Sequence, residues 1–135
     1  MKSFLEYIKE NTDKDIKWAI GENSYLLQDK WIKIDTSLVY LDIKKVMKNT
    51  DSLGLDINSK TGGTNANINR IKRLYSHIEN GGFLDPPLIG YNDVINKISF
   101  TNGRHRTFVA YKLGYKKIPF YVPNDQKEFF VKNYS

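Results

Sequence analysis

"SFTNGRHRTFVAYKLGYKKIPFYVP", residues 99–123, decides how the chain folds. Ile98 and Phe100 alternate with Ser99 and Thr101, the two-residue period of a strand ending near Thr101. Val109, Ala110 and Leu113 then form the inward stripe of a helix that stops near Gly114. "KKIPFYV" resumes as a strand, with Pro119 indicating an edge strand or a strand start. Asn102 and Gly103 mark the strand-to-helix junction, and Arg104, His105 and Arg106 open the helix.

That junction is a poor place for cations on structural grounds alone. The first N–H groups of a helix have no internal partners, and the helix dipole presents its positive end there. A cation in that turn is disfavoured by roughly 0.3–1 kcal/mol when exposed. An anion offsets the penalty, since glycine lets it approach the backbone and arginine grips phosphate in bidentate fashion. A buried carboxylate such as Asp85 or Asp93 would do the same, with His105 packed as a core imidazole. Both readings stay open at this point.

Working outward, "NANINRIKRLYSHIENGG" predicts an amphipathic helix. Ile68, Ile71, Leu74, Tyr75 and Ile78 share one face, while Arg70, Arg73 and His77 share another. Gly81 and Gly82 supply its stop. "PPLIGYNDVINKISF" reads as two short strands with a turn at residues 91–93. "KWIKIDTSLVYL" alternates through Trp31, Ile32, Lys33 and Ile34 as a strand, and a helical stretch is expected over residues 41–48. Residues 49–64, rich in Gly and turn formers, read as a long surface loop, whose "TGGTN" is a second candidate anion cradle. Residues 3–10 read as a short helix with Ser3 as N-cap and Glu6 closing a capping box. Asn124 is placed to cap a last helix, "DQKEFFVKNY". No internal repeat, low-complexity tract or linker stands out, so residues 1–135 read as one α+β or α/β domain.

The composition narrows the chemistry. The chain has no cysteine, which excludes disulfides, thiolate metal sites and thiol catalysis. His77 and His105 are its only imidazoles, too few for a histidine-rich metal centre. With 21 Lys and Arg against 15 Asp and Glu, the net charge of +6 suits a polyanionic partner such as DNA or a nucleotide. No run of residues approaches the roughly 20 apolar positions of a membrane span, so no membrane partner is expected. The N-terminal residues lack the apolar core of a secretory signal, which points to a cytoplasmic protein, with delivery as a toxin domain a second route.

"NGRHRTFVAYKLGYKKIPFYV", together with "INRIKRLYSHIENGGFLDPPLIG" upstream, resembles the signature segment of the ParB/sulfiredoxin superfamily. The likeness runs over about residues 31–122 and implies a single α+β domain with a small mixed sheet flanked by helices. In that superfamily the Gly–basic turn holds nucleotide phosphates, CTP in partition ParB and ATP in sulfiredoxin. The resemblance therefore implies a phosphate or nucleotide site at Asn102, Gly103, Arg104, His105, Arg106 and Thr107. Arg70 and Arg73 become possible nucleic-acid contacts, and a nucleoside triphosphate (ATP or CTP) with Mg²⁺ becomes the implied cofactor.

The departures are as informative. Sulfiredoxin carries a "G-C-H-R" turn and partition ParB a "G-E-R-R" turn, whereas Arg104 stands here. Sulfinic-acid reduction is thereby excluded, and the acidic group that partition ParB places near the metal is missing. A DNA nuclease or nucleotide hydrolase would use His105 as general acid or base and Arg106 to stabilise charge on phosphate. Its metal ligands would come, by elimination, from Glu22, Asp35, Asp85 and Asp93. The alternatives are a non-catalytic nucleotide- or DNA-binding regulatory module, a small-molecule kinase, and an inhibitor or toxin that meets a protein partner.

Overall fold

The computed structural model describes residues 15–28, 35–50 and 65–135. The helix expected at residues 3–10, the alternation at Trp31, Ile32, Lys33 and Ile34, and the "TGGTN" cradle lie outside the described residues. The elements run β1 (Lys17–Trp18), a 3-10 turn (Gly21–Leu26), β2 (Thr36–Asp42), α1 (Ile43–Lys48), α2 (Asn65–Glu79), β3 (Phe83–Leu84), β4 (Leu88–Asn92), β5 (Lys97–Asn102), α3 (Arg104–Lys112), β6 (Lys117–Pro123), a second 3-10 turn (Asn124–Gln126) and α4 (Lys127–Tyr134). The fold is α+β, with a four-stranded sheet in the order β2-β6-β4-β5 and a parallel pair, β1-β3.

The larger sheet is mixed. β2 and β6 run antiparallel over seven register pairs, β4 and β5 form an antiparallel hairpin, and β4 meets β6 in parallel at Leu88 and Tyr121. The hairpin turn falls at residues 93–96 rather than 91–93. Two asparagines explain the shift: the Asn92 side chain accepts from Val94 N–H at 3.0 Å, and Asn96 adopts φ 53°.

β6 is a central strand, which corrects the edge or strand-start position read from Pro119. Tyr121 N–H points toward β4 and donates to the Pro87 carbonyl at 2.8 Å. Residues two apart on a strand face the same neighbour, so the missing N–H of Pro119 also lies on the β4 flank. The β4 pairing begins only at Tyr121, and the β2 ladder loses no donor at Pro119.

One apolar core gathers Leu41, Ile43, Val46, Ile71, Ile78, Ile89, Ile98, Phe108, Val109, Phe120 and Phe130, all at or near zero exposure. Each such side chain contributes about 1.5–3 kcal/mol on burial, which is what fixes the helices on the sheet. The predicted inward face of α2 is the buried one: Ile71, Tyr75 and Ile78 are enclosed, with Leu74 packed at the margin. Gly81 ends that helix at φ 79°. The helical stretch expected from residue 41 starts at Ile43, because the Asp42 side chain caps it by accepting from Lys45 N–H at 3.0 Å. Asn49 and Thr50, read as the start of a surface loop, are stitched to β5 instead. Asn49 carbonyl accepts from Ile98 N–H, and the buried Thr50 hydroxyl donates to Ile98 carbonyl, both at 2.9 Å.

Asn124 does not cap the last helix. It opens a 3-10 turn whose N-cap residue is Pro123, and its side-chain oxygen accepts from the Ser37 hydroxyl. That contact ties the turn to β2. Among the described residues, no helix is long and apolar enough to cross a membrane.

Candidate anion-binding site

The site starts from an irregularity in the β4–β5 ladder. Register slips between Leu88 and Ile89, so Leu88 faces Asn102 while Ile89 faces Phe100. A bulge of this kind bends the strand end and re-aims side chains. Here it turns Asn102 inward: its Oδ1 accepts from Leu88 N–H at 3.1 Å and from Arg106 Nη2 at 3.0 Å. One amide oxygen thus replaces a ladder carbonyl and holds the guanidinium of the next helix.

Gly103 follows as the N-cap of α3, left-handed at φ 88° and ψ 13°. Two constraints select glycine here. The backbone conformation disfavours side chains, and a Cβ would meet Pro87 Cα at 2.7 Å and Cβ at 2.6 Å. Thr107 sits one turn in, fully buried, with its N–H and hydroxyl both donating to Gly103 carbonyl at 3.0 and 2.9 Å. Thr107 therefore secures the turn from inside and offers neither donor to a ligand.

α2 supplies the opposite wall. Arg70, Arg73, Leu74 and His77 from α2, with Gly103, His105 and Arg106 from the α3 end, line a cleft of about 390 Å³. No carboxylate is among these lining residues. The polar face of α2 predicted from the Arg70, Arg73 and His77 spacing is thus turned to the Gly–basic turn. His77 is held by Phe83 carbonyl, 2.9 Å from its Nε2. A carbonyl can only accept, so Nε2 carries the proton. The imidazole lies on Gly82, where any Cβ would collide with the ring. Gly82 is therefore more than a helix stop.

His105 is half-buried. Its burial, reinforced by Arg70, Arg104 and Arg106, holds its pKa below the ordinary imidazole value. At neutral pH it is a neutral ring among guanidinium groups, able to accept a proton when an anion enters. Arg104 is oriented differently from its neighbours: its guanidinium lies over the Phe100 ring, 5.5 Å from the centroid. Asn102, Arg104 and Thr107 thus build and charge the site without being part of its lining.

A second cavity of about 240 Å³ adjoins the first and shares Leu74, His77 and Arg106 with it. Asp85 lines this one and accepts from Gln28 N–H at 3.0 Å. Of the two carboxylates weighed as partners for the basic turn, Asp85 lines the same cavity as Arg106. Asp93 lies in the hairpin turn, at the opposite end of β5 from Gly103. Glu22 and Asp35 are exposed, and among the described residues no three His, Asp or Glu side chains are grouped to hold a metal. The cleft donors fit phosphate oxygens; among the described residues its lining offers Mg²⁺ no carboxylate.

No family model, curated protein or solved structure matches the chain.

Proposed function

We propose that the chain is a phosphate-binding module whose ligand is a nucleotide or the backbone of DNA, held in the cleft between α2 and the start of α3. The observation that carries this reading is the lining itself: Arg70, Arg73, His77, His105 and Arg106 converge from two helices on one space, with no acidic residue among the described lining residues. The α3 N-terminus adds backbone donors, and Gly103 keeps the turn small. The ParB/sulfiredoxin resemblance supports a nucleoside triphosphate as ligand, and the net charge of +6 supports DNA.

The test is a thermal-shift series with inorganic phosphate, ATP, CTP, GTP and duplex DNA, on the native chain and on an Arg70→Ala/Arg73→Ala variant. A ligand of the folded state raises the midpoint, by about 2.7 kcal/mol of stability at a hundredfold excess over Kd. The reading requires at least one phosphate ligand to shift the native chain and to lose that shift in the variant. Silence at millimolar concentrations of every ligand overturns it.

A second reading, hydrolysis of a phosphodiester or phosphoanhydride, is favoured by one observation. His105 is kept neutral beside Arg106, the state a general base requires. Nicking of supercoiled DNA or release of phosphate from ATP or CTP, lost in His105→Gln with binding retained, distinguishes turnover from binding alone.

A further inference from the structure

A second groove, of about 670 Å³, lies between α1, β4 and α4. Its floor is aromatic. Tyr91 and Phe129 are half-buried with ring centroids 4.5 Å apart, and Phe129 is backed edge-on by Phe130 at 5.6 Å. Phe130 and Tyr134 belong to the core, so the floor is rigidly supported. Lys45 and Lys48, one helical turn apart on α1, form the rim, and no Asp or Glu is among the described lining residues.

The amides around this floor are positioned by their own hydrogen bonds. Asn133 Nδ2 donates to Phe129 carbonyl at 2.8 Å, which fixes the side chain and leaves its Oδ1 as an acceptor. Asn49 Nδ2 donates to Tyr134 hydroxyl at 2.7 Å. Lys45 Nζ donates to the main-chain oxygen of Ser135 at 3.1 Å, using one of its three protons.

Flat apolar rings, amide groups at their margin and lysines at the rim match one ligand chemistry. A nucleobase presents a π-face for stacking, an edge for amides, and a phosphate a few ångströms away for a cation. Bases inside a duplex cannot offer their faces. We infer that this groove binds the unstacked bases of a single-stranded nucleic acid. This site is separate from the α2–α3 cleft and stands whether or not that cleft binds phosphate. An acidic peptide would satisfy the lysines and leave the aromatic floor unused.

The test compares a labelled oligothymidylate with an abasic strand of equal length and charge, by fluorescence anisotropy at one fixed salt concentration. Stacking predicts that the oligothymidylate binds about fivefold or more tighter than the abasic strand. Phe129→Leu should bring it down to the abasic level, and Lys48→Glu should weaken both strands. Where Phe129→Leu fails to fold, Asn133→Ala, an exposed change, takes its place and should selectively weaken the oligothymidylate. Amide NMR shifts on adding the oligothymidylate should then cluster at residues 45–49, 91 and 129–134. Equal affinity for the two strands, or shifts confined to Arg70, Arg73 and His105, overturns the inference.

Discussion

Arg106 reaches back one helical turn to Asn102, its Nη2 3.0 Å from the Oδ1 that also accepts Leu88 N–H. The guanidinium that faces the cleft is thus positioned by the residue that ends β5. Asn102→Ala removes the acceptor for both donors at once. It should destabilise the fold by about 1–3 kcal/mol, the range for leaving hydrogen-bonding groups unsatisfied, measured by urea unfolding. It should also weaken phosphate binding, although Asn102 does not line the cleft. Unchanged stability and affinity would show that the bond is incidental.

Gly103→Ala should be more damaging than its size suggests. An alanine at φ 88° carries roughly 1–2 kcal/mol of backbone strain, and its Cβ would sit 2.7 Å from the Pro87 Cα, which is backbone and cannot step aside. A loss above about 2 kcal/mol in chemical denaturation is the expected outcome. A loss within a few tenths would mean that the turn can relax without cost.

The pKa of His105 gives a pH dependence with a definite sign. Because burial and the neighbouring arginines lower it in the fold, the unfolded chain binds the proton more readily. The contribution is fully present above the ordinary imidazole value near 6.5 and is lost as pH falls through the lowered folded value. Arg70→Ala should raise the His105 pKa in an NMR titration, since Arg70 is one of the charges that depress it. A bound phosphate should raise it as well, so phosphate binding should tighten with proton uptake on acidification. A His105 pKa indifferent to both changes would separate this ring from the cleft.

Tyr75 gives a contrasting test. It is 1% exposed, its hydroxyl has no hydrogen-bond partner among the described residues, and burial pushes its pKa up to about 12. Removing an unsatisfied buried hydroxyl while keeping the ring is neutral or stabilising. Tyr75→Phe should therefore hold or raise the melting temperature. A clear fall would reveal a hydrogen bond made through solvent.

The elements whose information is local were legible in the sequence. The period of α2 named its buried face, and the Asn102–Gly103 junction located the helix start that the structure shows. The unread parts depend on residues distant in the chain. Pro119 looked like an edge residue because the rule concerns a strand whose both flanks are paired; the short β4–β6 ladder was invisible. Asn124 looked like a cap because only tertiary structure brings Ser37 to it. The resemblance made Arg104 and Thr107 phosphate-binding candidates, but it carries no information on the contacts the structure shows, the Thr107 hydroxyl on Gly103 carbonyl and the Arg104 guanidinium over Phe100. The aromatic groove could not be read at all, since its floor and rim come from α1, β4 and α4, separated by dozens of residues.

Pro87 occupies a pivotal place between cleft and sheet. Its carbonyl receives Tyr121 N–H from the central strand, while its side chain presses against Gly103. The turn that faces the cleft is thereby wedged against the middle of the sheet instead of hanging from a loose rim. An anion drawn into the cleft would tug on the central strand of the sheet, so its grip would be set by how the strands are laid, and softening of β6 would be felt at the cleft as lost purchase.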